Sequence, residues 1–145
     1  MRIVLQRVLD AECRVENVLT GEIKKGLVIF VGIDKFDTYE DVNWITKKIP
    51  RIRCFEDTDG KMNCSADDVG GELLLISQFT LFGNLRKGTR PSFNQSAPPD
   101  LARDLFNQLV EQLHLDFCGH VATGKFGRDM KINMTQDGPV TLIID

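Results

Sequence analysis

The chain has 145 residues, 42% of them apolar and 27% charged, with a formal net charge of -3; this is enough for one domain, residues 1–145, with a core of its own. The slightly acidic balance excludes a sequence-blind, strongly cationic nucleic-acid binder, although it leaves room for a local basic patch. No apolar run approaches the roughly 18 residues of a membrane span, and the opening residues lack the apolar core of a signal peptide, so the expectation is a cytoplasmic protein with no membrane partner.

Ile3-Val4-Leu5 and Val8-Leu9 open a strand interrupted by Gln6 and Arg7. A guanidinium among apolar neighbours needs acceptors, so Arg7 either points to solvent from an edge or is held by specific partners. Cys13 to Glu16 and Glu22 to Ile23 read as a short hairpin turning at Leu19-Thr20-Gly21. Gly26 to Gly32, rich in β-branched residues, reads as a fully buried strand.

A first helix is expected from about Thr38 to Ile49, capped by Asp37 or Thr38 with Glu40 or Asp41 in the capping-box position, and stopped by Pro50. Its apolar face is Tyr39, Val42, Ile45 and Ile49. Lys47, Lys48, Arg51 and Arg53 cluster at its end, where cations suit the helix dipole and could also face phosphates. Asp57-Thr58-Asp59-Gly60 begins like a calcium loop, but the bidentate glutamate is missing, so a hairpin turn is the better reading.

The run Leu73 to Leu81 contains no glycine or proline and lies between Gly70-Gly71 and Gly83-Asn84. Such a run reads as a buried strand, around which the chain is organised. Its second half carries Ser77, Gln78 and Thr80; polar groups at the end of a core strand are either knitted into the fold or open to a ligand. The polar segment Gly83 to Gln95 holds Arg86, Lys87 and Arg90.

A second helix begins at Pro98-Pro99-Asp100, and its stripe of Leu101, Ala102, Leu105, Phe106, Leu109, Val110 and Leu113 is core. Three strands follow, Phe117 to Ala122, Asp129 to Met134 and Val140 to Ile144, the last two separated by a turn through Thr135–Pro139. Cys13, Cys54, Cys64 and Cys118 form no Cys-x-x-Cys pair and read as small core residues. With only His114 and His120 available, no metal site is expected, and no cofactor.

Familiar catalytic sets are missing. No histidine sits in a recognisable motif with Ser77 or Thr80, and there is no nucleophile elbow or phosphate-cradling glycine loop. A Thr80 nucleophile would need a base to activate it. Any catalysis would rest on positioning, backbone donors and the substrate's own groups.

Ser77-Gln78-Phe79-Thr80 together with Asp137-Gly138-Pro139-Val140-Thr141 resembles the D-aminoacyl-tRNA deacylases of the bacterial and eukaryotic type. Leu5-Gln6-Arg7-Val8, Gly60-Lys61-Met62-Asn63, Arg90-Pro91-Ser92-Phe93 and Gly124-Lys125-Phe126 leading to Asp129-Met130 extend the resemblance over essentially the full length, in the family's order.

The resemblance implies a homodimeric α/β fold with a barrel-like, mixed antiparallel and parallel sheet core and two main helices. It also implies an enzyme without cofactor that hydrolyses the ester of D-aminoacyl-tRNA, and of glycyl-tRNA mischarged on the alanine tRNA. Ser77, Gln78, Phe79 and Thr80 would be the catalytic segment, with Arg7, Phe126 and Met130 supporting the pocket. Gly138 and Pro139 would form a Gly-cis-Pro element that enters the partner's pocket and rejects L-amino acids. Gln136, where the family commonly has asparagine, and Gly127-Arg128 depart from the pattern. The competing readings are a dimeric module that binds a tRNA end or nucleotide without cleaving it, and a deacylase of a different aminoacyl ester.

Overall fold

The computed structural model describes all 145 residues. It opens with one long strand, β1 (Arg2–Val15), which turns back into β2 (Val18–Ile23). The turn is not at Leu19–Gly21, as expected from sequence, but at Glu16 and Asn17, with φ of 51° and 66°. Two successive left-handed residues make the tight loop whose twist matches that of antiparallel strands, and asparagine tolerates the conformation well. Leu19, Thr20 and Gly21 therefore belong to β2. The next strand, β3 (Gly26–Gly32), lies antiparallel to the first half of β1.

Helix α1 (Tyr39–Lys48) is capped by Thr38 through a full capping box with Asp41. Val42, Ile45 and Ile49 are buried as expected, whereas Tyr39 is exposed; Thr46 takes a core place by donating to the Val42 carbonyl. The α-helix ends just before Pro50, as expected, and Pro50 itself lies in a 3₁₀ turn, Ile49–Arg51, at a position where a missing N–H costs nothing. The Thr38 amide and hydroxyl both donate to Asp41, which holds its carboxyl below the ordinary value of 3.8. A depressed folded value means the contribution is fully present above 3.8 and is lost as pH falls through the lower one. We expect Asp41→Asn to lower the melting temperature at pH 6, and the gap to wild type to close as acid melts are taken below about pH 3.8; a gap that stays constant would overturn this reading.

Asp57 to Gly60 form the expected turn, between β4 (Phe55–Glu56) and β5 (Met62–Cys64), with the Asp57 carboxylate accepting from the amides of Asp59 and Lys61. A short helix α2 (Ala66–Val69) leads into β6 (Glu72–Ser77). The buried strand is thus shorter than the apolar run: it stops at Ser77, and Phe79–Phe82 curl into a 3₁₀ turn. Helix α3 (Pro99–Asp116), strand β7 (Val121–Thr123) and strand β8 (Lys131–Ile144) complete the chain. Residues 117–120, expected as strand, bend instead, with Phe117 buried at the helix end.

The sheet order is β2-β1-β3-β6-β7, with β8 along the other side of β1. β3, β6 and β7 run parallel and the remaining pairs antiparallel, so the sheet is mixed. The crossovers carry the two main helices, as parallel neighbours require. A Cβ on Gly21 would lie 2.6 Å from the Thr123 carbonyl oxygen, so β2 meets β7 backbone to backbone and the sheet nearly closes into a barrel.

Leu73, Leu74, Leu75 and Ile76 are all fully buried because β6 is covered on both faces. Leu73 and Leu75 join the cluster under the helices; Leu74 and Ile76 join Val8, Cys13 and Val28 inside the barrel. Each such side chain contributes about 1.5–3 kcal/mol. Of the cysteines, Cys13 and Cys54 are core, Cys64 is half-buried and Cys118 is exposed, so only the first two fit the core reading. Burial pushes the Cys54 thiol up, against a smaller opposite pull from Arg7. No helix is long and apolar enough to cross a membrane.

Candidate active site

Parallel strands end with a crevice at their carboxyl edge, where backbone groups leave the sheet. Here a cleft of about 880 Å³ opens beyond the ends of β3 and β6. Val31 and Ile33 come from one strand end; Ile76, Ser77, Gln78 and Phe79 come from the other. Phe93, Ser96 and Ala97 of the following loop, the first turn of α3 and residues 126–130 form the walls.

The floor changes direction at Gln78. Its amide donates to the Val31 carbonyl at 2.7 Å, the last tie to the sheet, before the chain enters the 3₁₀ turn. The Phe79 and Thr80 amides begin that turn, ahead of any carbonyl they could bond within it. Phe79 is exposed and meets Phe93 edge-on, ring centres 5.1 Å apart. The Gln78 side-chain amide donates to the Thr80 hydroxyl. No histidine or carboxylate touches that hydroxyl, and Thr80 does not line the cleft.

Phe126 and Met130, both half-buried, form the opposite wall. Phe126 packs against Phe106 beneath it and carries the Arg103 guanidinium over its ring. Five of the nine residues singled out from sequence therefore meet at one cleft: Ser77, Gln78, Phe79, Phe126 and Met130. Thr80 lies beside it, and Arg7, Gly138 and Pro139 lie elsewhere on the chain.

Those three meet at a second place. Gln6 pairs with Thr141 and Val8 with Gln136, so Arg7 alone faces the β8 residues Asp137 to Val140. Instead of separating two strands, Gly138-Pro139 lies on an arch thrown out from one continuous strand, and its peptide bond is cis. Arg7, 5% exposed, braces the arch: Nε donates to the Asp137 carbonyl at 3.2 Å and pairs with its carboxylate at 3.1 Å, while Nη1 donates to the Cys54 carbonyl at 2.7 Å. Gln136 spans the base of the arch, donating to Gln6 Oε1 and Thr141 Oγ1. Its longer arm thus finds two partners. Gly138 and Pro139 are exposed.

Sequence reading missed Phe93, Ser96, Arg103 and Asp129 as wall residues. Phe93 had a signal, being the one aromatic residue in a polar loop; Arg103 had none, because it sits on the outer face of a helix read for its core stripe.

A family model described as D-Tyr-tRNA(Tyr) deacylase matches residues 4–145. The D-aminoacyl-tRNA deacylase of Thermotoga petrophila is 48% identical over 145 residues, covering 100% of this chain and 97% of the relative. That of Desulfitobacterium hafniense is 49% identical with the same coverage. Among solved structures, a c-Myc DNA unwinding element binding protein superposes with a TM-score of 0.94 at 34% identity, covering 100% of this chain and 98% of that one. A probable eukaryotic D-amino acid tRNA deacylase, 17% identical with a TM-score of 0.82, shares the fold, covering 99% of this chain and 97% of its own.

Proposed function

The chain belongs to the D-Tyr-tRNA(Tyr) deacylase family, and from that membership we propose that it hydrolyses the ester joining a D-amino acid to the terminal ribose of tRNA. The observation that carries the reading is the cleft over Ser77, Gln78 and Phe79 in a chain matched to the family over residues 4–145. Water adds to the ester carbonyl, the carbonyl–ribose oxygen bond breaks, and free tRNA and the amino acid leave. The amide of Phe79, which lines the cleft, and that of Thr80 at its edge stabilise the developing oxyanion, as oriented donors in a water-poor site do. The neighbouring ribose hydroxyl assists the proton transfers, and Thr80 is not the nucleophile: its hydroxyl has no base beside it.

The active unit is a homodimer in which the arch of one protomer enters the partner's cleft. Two features of the chain support this: Gly138 and Pro139 are exposed yet do not line the cleft over Ser77–Phe79 of their own chain, and β8 pairs only with β1 while exposing Leu142 and Ile143. An unpaired edge with apolar residues is a surface for a second copy. The Gly138 and Pro139 carbonyls then hold the substrate's α-amino group and leave no room for an L side chain. Glycine passes such a filter, so glycyl-tRNA is a second substrate. An aminoacyl-tRNA substrate places the protein in the cytoplasm.

The c-Myc DNA unwinding element binding protein that shares this fold favours a second reading, a dimeric module that holds a nucleic-acid end without cleaving it. Matched D- and L-tyrosyl-tRNA, assayed with wild type and Thr80→Ala, separate the two. We expect rapid cleavage of the D ester alone, with Thr80→Ala within about threefold of wild type. D-selective cleavage that disappears in a folded Thr80→Ala would restore the hydroxyl as nucleophile. No cleavage of either ester by a folded dimer would overturn the deacylase reading in favour of the binding module.

A further inference from the structure

Resting on the reading of a tRNA ester in the cleft, we infer that Arg103 and Arg128 grip the phosphates of the tRNA's single-stranded 3′ end as it enters. They are the only cationic side chains lining the cleft, and both are exposed. Each comes from a different wall. Arg103 projects from the start of α3 with its guanidinium 5.5 Å from the centre of the Phe126 ring. Arg128 is set by the turn Lys125–Arg128, closed by an Arg128 amide to Lys125 carbonyl bond of 3.2 Å.

Neither guanidinium makes an ion pair or a side-chain hydrogen bond within the chain. In a protein with 21 acidic residues against 18 lysines and arginines, two unpaired arginines at one cleft mouth create a local field opposite to the net charge. Asp129, also on the wall, is not within ion-pair distance of either. Guanidinium is the side chain suited to phosphate, since its planar fork donates two parallel hydrogen bonds. The stacked Phe126 ring limits the freedom Arg103 would lose on binding.

The other basic cluster does not share this position. Arg53 is engaged by the Asn63 carbonyl at 2.8 Å, and Lys48 lies over the exposed Trp44 ring. Helix α1 meets α3 at Gln112. At about 1.5 Å per residue, that is roughly 14 Å down the helix from Arg103.

The test is equilibrium binding of uncharged tRNA across a salt series, with D-tyrosyl-tRNA and the phosphate-free ester D-tyrosyl-adenosine assayed in parallel. Arg103→Gln/Arg128→Gln is compared with wild type and with Lys47→Gln/Lys48→Gln. Each phosphate contact to a single strand contributes about 0.7 to the log–log salt slope, so the arginine double variant should bind about 1.4 less steeply. Its affinity should fall at least tenfold at low salt, and its preference for the tRNA ester over the adenosine ester should fall with it. The α1 variant should keep the wild-type slope.

An unchanged slope in the arginine variant, or an equal loss on both esters, would overturn the inference. A steep loss in the α1 variant alone would move the phosphate track there and overturn it too. If wild type cleaves neither ester but the arginine variant still loses tRNA affinity and slope, the deacylase reading fails while the phosphate grip stands.

Discussion

Arg7→Met is expected to reduce kcat/KM for D-tyrosyl-tRNA by at least a hundredfold and stability by about 2–3 kcal/mol, a lost buried charge partner and an orphaned carbonyl each contributing. The side chain is buried and serves two separate chain segments, Asp137 on the arch and Cys54 on the far side. Methionine fills much of the volume but leaves the Cys54 carbonyl without its donor. The larger stability losses known for fully buried pairs do not apply here, because the Asp137 side chain is 34% exposed and water can replace part of what it loses. The arch is nevertheless released, since Arg7 is the one β1 residue facing it.

Arg7→Lys separates anchoring from charge. An ammonium can reach one partner but lacks the planar fork that serves both, so it should recover most of the stability and little of the activity. Denaturant midpoints and steady-state kinetics on the three proteins read the split. Full activity in Arg7→Met at reduced stability would mean that the arch holds its own shape.

Where local chemistry decides the structure, the sequence is legible. Thr38 and Asp41 cap a helix whatever it packs against. Leu73 to Ile76 must be covered on both faces, which is why an uninterrupted run reads as a central strand. The failures share a cause: a tertiary partner overrides a local signal. Gly-Pro reads as a chain reversal, yet β8 keeps its direction because β1 supplies partners on both sides of the arch. The run through Leu81 reads as strand, yet β3 offers its last acceptor at Val31 and the chain curls once that is used. Tyr39 follows the helical period but, in the first turn of α1, it stays exposed at a shallow groove beside α3.

The site divides along the same line. Ser77, Gln78 and Phe79 could be singled out because polar residues at the end of a buried strand ask for partners. Arg103 could not, since a solvated helical arginine looks the same whether or not a cleft lies beside it. Only the convergence of α3 with the 126–130 segment gives it a role.

Gly138→Ala should abolish most D-tyrosyl-tRNA cleavage, by at least about a hundredfold, while leaving the melting transition close to wild type. Its φ of +121° is a conformation that L residues rarely adopt, at a cost of about 1–3 kcal/mol. Space is also short: a Cβ would lie 2.9 Å from Val140 Cγ2, 3.0 Å from the Val140 amide nitrogen and 3.2 Å from Arg7 Nη2. Two of these neighbours belong to the arch and the third is its brace, so relief must come from moving the arch itself. The β1–β8 ladder on either side can stay paired, which is why global stability should change little.

Gly60→Ala is the matched comparison, with φ of +75° and nothing within 4 Å of the added carbon, in a turn between β4 and β5. It carries the backbone strain without displacing the arch, and should retain wild-type turnover. Should both variants cleave D-tyrosyl-tRNA like wild type, with L-tyrosyl-tRNA still refused, the arch would have no part in catalysis or chiral selection. The filter would then have to lie in the walls around Phe79, Phe126 and Met130.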